Sequence, residues 1–259
     1  MQNKSENENG KKESSNIIGG SPKRFMNYSA YTLIIPTLNE ESTIGLLIKY
    51  VLSHYHGMHV LVMDDGSTDN TAEIVRRIAK SNAEVKFIDR HAQGLQRGLT
   101  ASIVHGISIA NTKYAIIIDA DLQHPPEVIE KIAQCLEKHN DLVIATRASV
   151  TEWPLFRRIV SKSLMLVGVL VLFLRSAQQS SDIFSGFFGV RSSFFMQVYK
   201  ANKDRFIGNG YKALFDLLKC VSKGSVRVCE VPYVFNSRKG GRSKAGVKQV
   251  FALLKSFVS

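Results

Sequence analysis

The chain has little cysteine, tryptophan or proline: 3, 1 and 6 residues of 259. Cys135, Cys220 and Cys229 form no C-x-x-C pair and no even framework. That excludes a disulfide scaffold and a zinc finger, and it reads as buried thiols in a reducing compartment. No apolar stretch follows the first methionine, so no secretory leader is expected. No G-x-G-x-x-G follows the first strand pattern and no Walker sequence occurs, which disfavours dinucleotide redox and P-loop chemistry. A bilayer span needs ~20 apolar residues, whereas the uncharged stretch 164–174 has 11. Arg157, Arg158, Lys162 and Arg175 bound it, so it fits either a helix lying in a membrane interface or an all-round buried core helix. Acidic residues are also in deficit, 22 against 34 basic ones, for a net charge of +12. Residues 191–259 hold 14 Lys and Arg against 3 Asp and Glu. Such a region implies anionic partners: a phosphate-bearing substrate, an anionic membrane surface, or nucleic acid. The basic residues are not interleaved with aromatics in a nucleic-acid motif, so a basic nucleic-acid-binding α/β protein stays the distant alternative.

What is present is a chain of 44% apolar content, long enough for one large α/β domain. Residues 1–28 are rich in Asn, Ser, Lys, Glu and Gly without periodicity and read as a disordered polar tail, leaving a single domain over 29–259. Period-2 and period-3.6 patterns predict strands at 31–35, 59–63, 84–88, 114–118 and 141–145. Helices at 41–53, 69–80, 98–110 and 126–138 alternate with them. This alternation implies a doubly wound, mostly parallel sheet flanked by helices. Beyond Arg147 the pattern changes to a helix at 156–174, a Phe-rich strand at 183–190, a helix at 209–222 and a strand at 226–235. A basic loop at 236–243 and a helix at 244–257 follow.

Polar clusters end three of these strands. The run 114–118 is apolar and runs straight into Asp119, Ala120, Asp121, Leu122 and Gln123. Carboxylates at the C-terminal edge of a parallel sheet stand where such folds bind ligands. Two of them so close repel, and a hard divalent ion between them relieves that. Gln123 adds a neutral oxygen on the same side of an extended chain, and Pro125-Pro126 then start a helix at Glu127. A surface turn with acidic residues is the bland alternative. Upstream, 59–63 ends in Asp64 and Asp65, one of which faces a ligand or caps a loop; Gly66 permits the turn, and Thr68 or Asp69 caps the next helix. The first strand ends at Pro36, which cannot donate to a ladder. Asn39 reads as an N-cap, and Glu40 and Glu41 open a helix.

The segments IIPTLNEE (34–41), MDDGSTDNTA (63–72), IDADLQHPPEV (118–128), ATR (145–147), WPLFRR (153–158), DIFSGFF (182–188), GYKALFDLL (210–218) and SRKGGRSK (237–244) occur in unbroken order. Together they resemble the family-2, nucleotide-sugar-dependent glycosyltransferases, over roughly residues 31–250. Within that family the chain is most similar to the branch that moves mannose from GDP-mannose to dolichyl or other polyprenyl phosphates with inversion. The resemblance implies a GT-A-type nucleotide-sugar-binding fold and a Mg²⁺ or Mn²⁺ cofactor. It implies that Pro36, Leu38, Glu40, Met63 and Asp65 line the nucleotide pocket, and that Asp119 and Ala120 contact nucleotide or metal. Asp121 and Gln123 would ligate the metal. Arg147 and Arg157 would bind phosphates, the acceptor's among them, and with Asp121 form the catalytic set. Lys212, Arg238 and Lys244 would close on the diphosphate or acceptor side. Leu38 replaces the family's usual aromatic residue, so base stacking is not expected there. The Q-x-x-R-W motif of processive synthases is absent, which favours single-sugar transfer. His124 reads as a loop-packing residue. The implied partners are a nucleotide sugar and a polyprenyl phosphate, reached at the cytoplasmic side of a membrane by surface attachment, through a membrane-anchoring partner, or as a fragment of a longer protein. UDP-glucose or another nucleotide sugar is the alternative donor.

Overall fold

The computed structural model describes residues 26–149, 155–210, 212–236 and 255–257, with backbone only at 149 and 155–160. The first half alternates as its periodicity requires: β1 (Tyr31–Thr37), α1 (Ile44–His54), β2 (His59–Asp64), α2 (Thr71–Ala79), β3 (Val85–Asp89), α3 (Leu99–Ile109), β4 (Tyr114–Ile117), α4 (Val128–Glu137) and β5 (Leu142–Ser149). Then come α5 (Leu155–Leu174), β6 (Phe188–Arg191), α6 (Ser192–Ala201), α7 (Ala213–Leu218) and β7 (Val228–Val234). The strands form one sheet in the order β3-β2-β1-β4-β6-β5-β7. Only β6 runs antiparallel, to β4 and β5 on either side. Two apolar layers cover the sheet. Leu33, Ile35, Val60, Val62 and Ile116 face one way with α1 and α4. Ile34, Leu61, Met63, Ala115 and Ile117 face the other with α3, α6 and α7. This is the period-2 alternation of strands buried on both faces.

Several expectations are corrected. The folded region begins before residue 29: Tyr28 is buried against Tyr31 and Tyr55, and Asn27 Oδ1 accepts from Ser29 N–H. Pro36 does not end β1. It pairs in register with Met63 inside the strand, and this is tolerated because β4 leaves β1 at Ile34–Ile117, making β1 a local edge from there on. α1 starts at Ile44 rather than 41. The Phe-rich strand is shorter than 183–190, since 183–187 is loop, and the helix expected over 209–222 is confined to Ala213–Leu218. α6 was not expected: it starts directly at the end of β6, with no turn residues between. The cysteines are half-buried, and Cys229 Sγ lies 2.7 Å from Cys135 Sγ. Of the helix expected over 244–257 only residues 255–257 are described, and they are helical. They dock on α7, where Lys219 Nζ donates to Ser256 O at 3.0 Å.

Candidate active site

The C-terminal ends of β1, β2, β4 and β5 share one edge, and the loops leaving them are sutured together. Asp64 Oδ1 accepts from Gly66 and Ser67 N–H, so Asp64 is the loop-capping member of its acidic pair, with Gly66 at φ +94°. Asn39 is no helix cap. It sits in the left-handed region at φ 52°, donates its N–H to Ser67 Oγ and accepts from Thr68 N–H, joining the first two loops. Asp69 accepts from Thr71 N–H and Glu41 N–H, and Glu41 in turn accepts from Asn70 N–H, so both acids serve the start of α2. Glu40 is buried, its N–H donating to Thr71 Oγ1. Leu38, at 37% exposed, projects from the same edge, whereas Met63 is fully buried.

Asp65 is held by a partner that sequence reasoning missed. Arg90, itself buried, donates to Asp65 Oδ1 and Ser102 Oγ and to Gln96 O. Asp65 Oδ2 accepts from Gly98 N–H and Ser102 Oγ–H. Asp65 therefore fixes the β3–α3 connection at this edge. Arg90 follows β3 directly, so the strand-end rule applied to β3 would have found it.

The β4 loop gathers carboxylate and amide oxygens at this edge. Its chain is not extended: Leu122 has φ 59°, a conformation rare for its residue type, which turns the segment between Asp121 and Gln123. Asp121 is buried and its Oδ1 accepts from Gln123 N–H, while the Asp119 side chain is 37% exposed. Ala120 is buried beneath them. Gln123 and Asn236 bond reciprocally: Asn236 N–H donates to Gln123 O, and Gln123 Nε2 to Asn236 O, so Oε1 is the atom a cation would use. His124 packs against Phe187 and Phe235 as expected of a loop residue, and does more. Its Nε2 lies 3.3 Å from Asp119 Oδ2 and its Nδ1 2.6 Å from Tyr233 Oη. An ionised Asp119 only accepts, so in the neutral ring the proton sits on Nε2 and Tyr233 donates to Nδ1. Burial holds the Tyr233 phenol well above its usual range, so its proton stays in place. Opposite, a Cβ at Gly186 would come within 2.8 Å of Asp119 Oδ2, so this glycine keeps the space beside the carboxylate clear.

Cations face this loop. Arg147, near the end of β5, is gripped by buried Asp182 through Nε–Oδ2 and Nη2–Oδ1 bonds of 2.7 Å each. Lys212 Nζ donates to Phe184 O at 3.0 Å. Burial first, and then Arg147, push its ammonium down to about 8, against the pull of Asp119 and Asp182. Arg157 lies on α5, where only the backbone is described, and Arg238 and Lys244 lie outside the described residues. Among the described residues no three His, Cys, Asp or Glu side chains cluster. The donors on offer to a metal are Asp119, Asp121 and the Gln123 amide, all hard oxygens, beside a glycine that leaves room; they fit a hard dication.

An open sheet with β6 reversed and an acidic loop on the β4 edge is the GT-A fold of nucleotide-sugar transferases. Solved structures of glucosyl-3-phosphoglycerate synthase from Mycobacterium tuberculosis share it. The complex with UDP matches at TM-score 0.57 and 16% identity over 88% of this chain and 80% of that one. The complex with Mn²⁺, UDP-glucose and phosphoglyceric acid matches at 0.56 and 15% identity over 88% and 79%. Residues 32–199 match the profile of Glycosyl transferase family 2, and the chain belongs to that family. It is 32% identical over 231 residues to the dolichol-phosphate mannosyltransferase of Pyrococcus furiosus, covering 86% of this chain but 61% of the relative's length. It is 30% identical over 241 residues to the dolichol-phosphate mannosyltransferase of Mycosarcoma maydis, covering 88% and 77%.

Proposed function

We propose that this chain is the catalytic domain of an inverting, metal-dependent transferase that moves mannose from GDP-mannose to the phosphate of a dolichyl or other polyprenyl phosphate. The observation that carries the reading is the opposition, on one sheet edge, of the Asp119–Gln123 oxygen cluster and the Arg147–Lys212 cation pair. The names of its relatives support the lipid phosphate and the sugar. A nucleic-acid-binding role would leave Asp119, Asp121 and Gln123 without a purpose.

Asp119, Asp121 and Gln123 would hold Mg²⁺ or Mn²⁺ against the diphosphate. The bound ion would offset the charge that gathers on the leaving nucleoside diphosphate as the sugar departs. The chain's own work is mainly electrostatic. The acceptor phosphate is anionic at neutral pH, its second pKa being about 6, so it attacks without a strong general base. His124 is accordingly engaged with Asp119 and Tyr233 rather than placed as one. Two anions must meet, and Arg147 and Lys212 lower their repulsion. Asp182 fixes the Arg147 guanidinium before substrate arrives, so no reorientation is required at the moment of transfer. Transfer of radiolabelled sugar to a polyprenyl phosphate should occur with GDP-mannose, stop with EDTA and return with Mn²⁺. Asp121→Ala should abolish it while the protein stays folded. Transfer from UDP-glucose in preference to GDP-mannose, or full activity in Asp121→Ala, would overturn the assignment.

A further inference from the structure

Two of the three cysteines meet beneath the outer edge of the sheet. Among the described residues β7 is the outermost strand, paired to β5. Along it Cys229, Val231 and Tyr233 alternate toward the α4 layer, whereas Glu230, Pro232 and Val234 are exposed. Cys135 stands in the last turn of α4, at the border of the face that Ile132, Ala133 and Leu136 bury. Both cysteines are half-buried and pack against the same apolar layer. The Cys229 thiol donates to Cys135 Sγ at 2.7 Å. Cys220 packs against the opposite layer and reaches neither.

Two thiols in contact can do what one buried thiol cannot, because the second resolves what the first begins. Burial, and then the bond to Cys135, push the Cys229 thiol up to about 11, so Cys229 keeps its proton. Cys135 Sγ accepts that proton's hydrogen bond and is the sulfur that attacks first. A peroxide is the oxidant. Cys135 sulfur attacks the O–O bond, which takes up two electrons and breaks; one water leaves and a sulfenic acid remains. Cys229 sulfur then displaces the sulfenic oxygen, the S–S bond forms, and the second water leaves with the thiol proton. In total two thiols and one hydrogen peroxide give one disulfide and two waters. A disulfide bond measures ~2.05 Å, so the sulfurs must close by roughly 0.65 Å from their present 2.7 Å. Side-chain rotation covers that movement.

We propose that Cys135 and Cys229 form a dithiol modification site, which a peroxide closes into a reversible disulfide that braces the edge strand β7 on α4. The bridge joins positions 94 apart, a loop long enough to restrict the unfolded chain strongly. It also secures the strand that carries Tyr233 to His124 and whose continuation carries Asn236 to Gln123. The inference rests on the two thiols and does not depend on the transferase reading.

The test uses the full chain, reduced with dithiothreitol, desalted and then treated with hydrogen peroxide. Free thiols are alkylated, and the protein is digested without reduction for mass spectrometry. One peptide pair joined through Cys135 and Cys229 should appear, lighter by two hydrogens than the sum of its reduced halves, with Cys220 alkylated. The melting temperature should rise by at least about 5 °C and fall back with dithiothreitol. The rise should be absent in Cys135→Ala and in Cys229→Ala and retained in Cys220→Ala. Peptide mapping of the wild type decides the matter even where an alanine variant fails to fold. Three free thiols after peroxide, sulfinic or sulfonic acid at Cys135 without a bridge, a bridge to Cys220 or between two chains, or a Cys135–Cys229 bridge that leaves the melting temperature unchanged would each overturn the proposal.

Discussion

Replacing Gly186 with alanine adds one methyl group beside the acidic loop and tests whether Asp119 must sit where the structure puts it. The new Cβ would lie 2.8 Å from Asp119 Oδ2, 3.4 Å from its Cγ and 3.5 Å from His124 Nε2. Comfortable contact starts near 3.5 Å, so the carboxylate must retreat by about 0.7 Å. It can do so by side-chain rotation, being 37% exposed, and the stability cost should fall at the low end of overpacking, about 1 kcal/mol. That corresponds to a drop of about 2–4 °C in melting temperature for a domain of this size. Function should suffer more. Displacing a ligand's support commonly costs about 10–100-fold in metal affinity or activity, or about 1.4–2.7 kcal/mol at 1.36 kcal/mol per decade. Calorimetric titration of Mn²⁺ with GDP reads the affinity, and sugar transfer reads the rate. A cycle with Asp119→Ala isolates the cause: without the carboxylate the methyl has nothing to strike, so Gly186→Ala should cost almost nothing in melting temperature there. Wild-type Mn²⁺ affinity and transfer in a folded Gly186→Ala protein, or an undiminished penalty in the Asp119→Ala background, would refute the argument.

Asp182→Asn keeps the shape but removes the charge that grips Arg147, leaving a buried guanidinium underpaired. It should cost roughly 3 kcal/mol in urea unfolding and raise the KM for the acceptor more than it lowers kcat; an unaltered KM would count against the positioning role. Lys212 gives a pH signature. Its ammonium is depressed from the ordinary 10.5 to about 8, burial being the first cause. Folding disfavours the charged form, so the fold gains stability as pH rises through about 8 toward 10.5, while diphosphate binding, which needs the ammonium, weakens over the same rise. GDP affinity measured from pH 7 to 10 should fall in wild type and stay flat in Lys212→Gln. Arg90→Met strands the buried Asp65 carboxylate and should destabilise by roughly 3–5 kcal/mol. Adding Asp65→Asn should recover part of that loss by urea unfolding, since removing both members of a buried pair costs less than removing one.

The difference between Arg90 and Asp182 separates what was legible in the residues from what was not. Which residues reach the binding edge is a local property. An apolar run of period 2 fixes where a strand stops, and a parallel sheet brings those stops to one side, so Asp65 and Asp121 could be placed from their neighbours alone, whereas Arg147 came from the family resemblance. Arg90 obeys the same rule, following Asp89 at the end of β3, but that end carries no paired acids to mark it. Which of these residues bond to one another is a tertiary property. Asp182 meets Arg147 across 35 positions, and Tyr233 meets His124 across 109, with no local spacing to announce either. The turn at Leu122 is hidden for a third reason: leucine carries no preference for positive φ, so nothing in its own identity marks the bend that places Asp121 against Gln123. That conformation costs about 1–3 kcal/mol, and the loop keeps it because Asp121 Oδ1 accepts from Gln123 N–H and Gln123 bonds Asn236, two residues beyond the edge strand β7. A stretch that bears strain and is tied down at both ends is held for the sake of its side chains. The extended chain expected from Asp119 to Gln123 would have put both carboxylates on one side without strain, and it would have left the Gln123 peptide without its bond to Asp121.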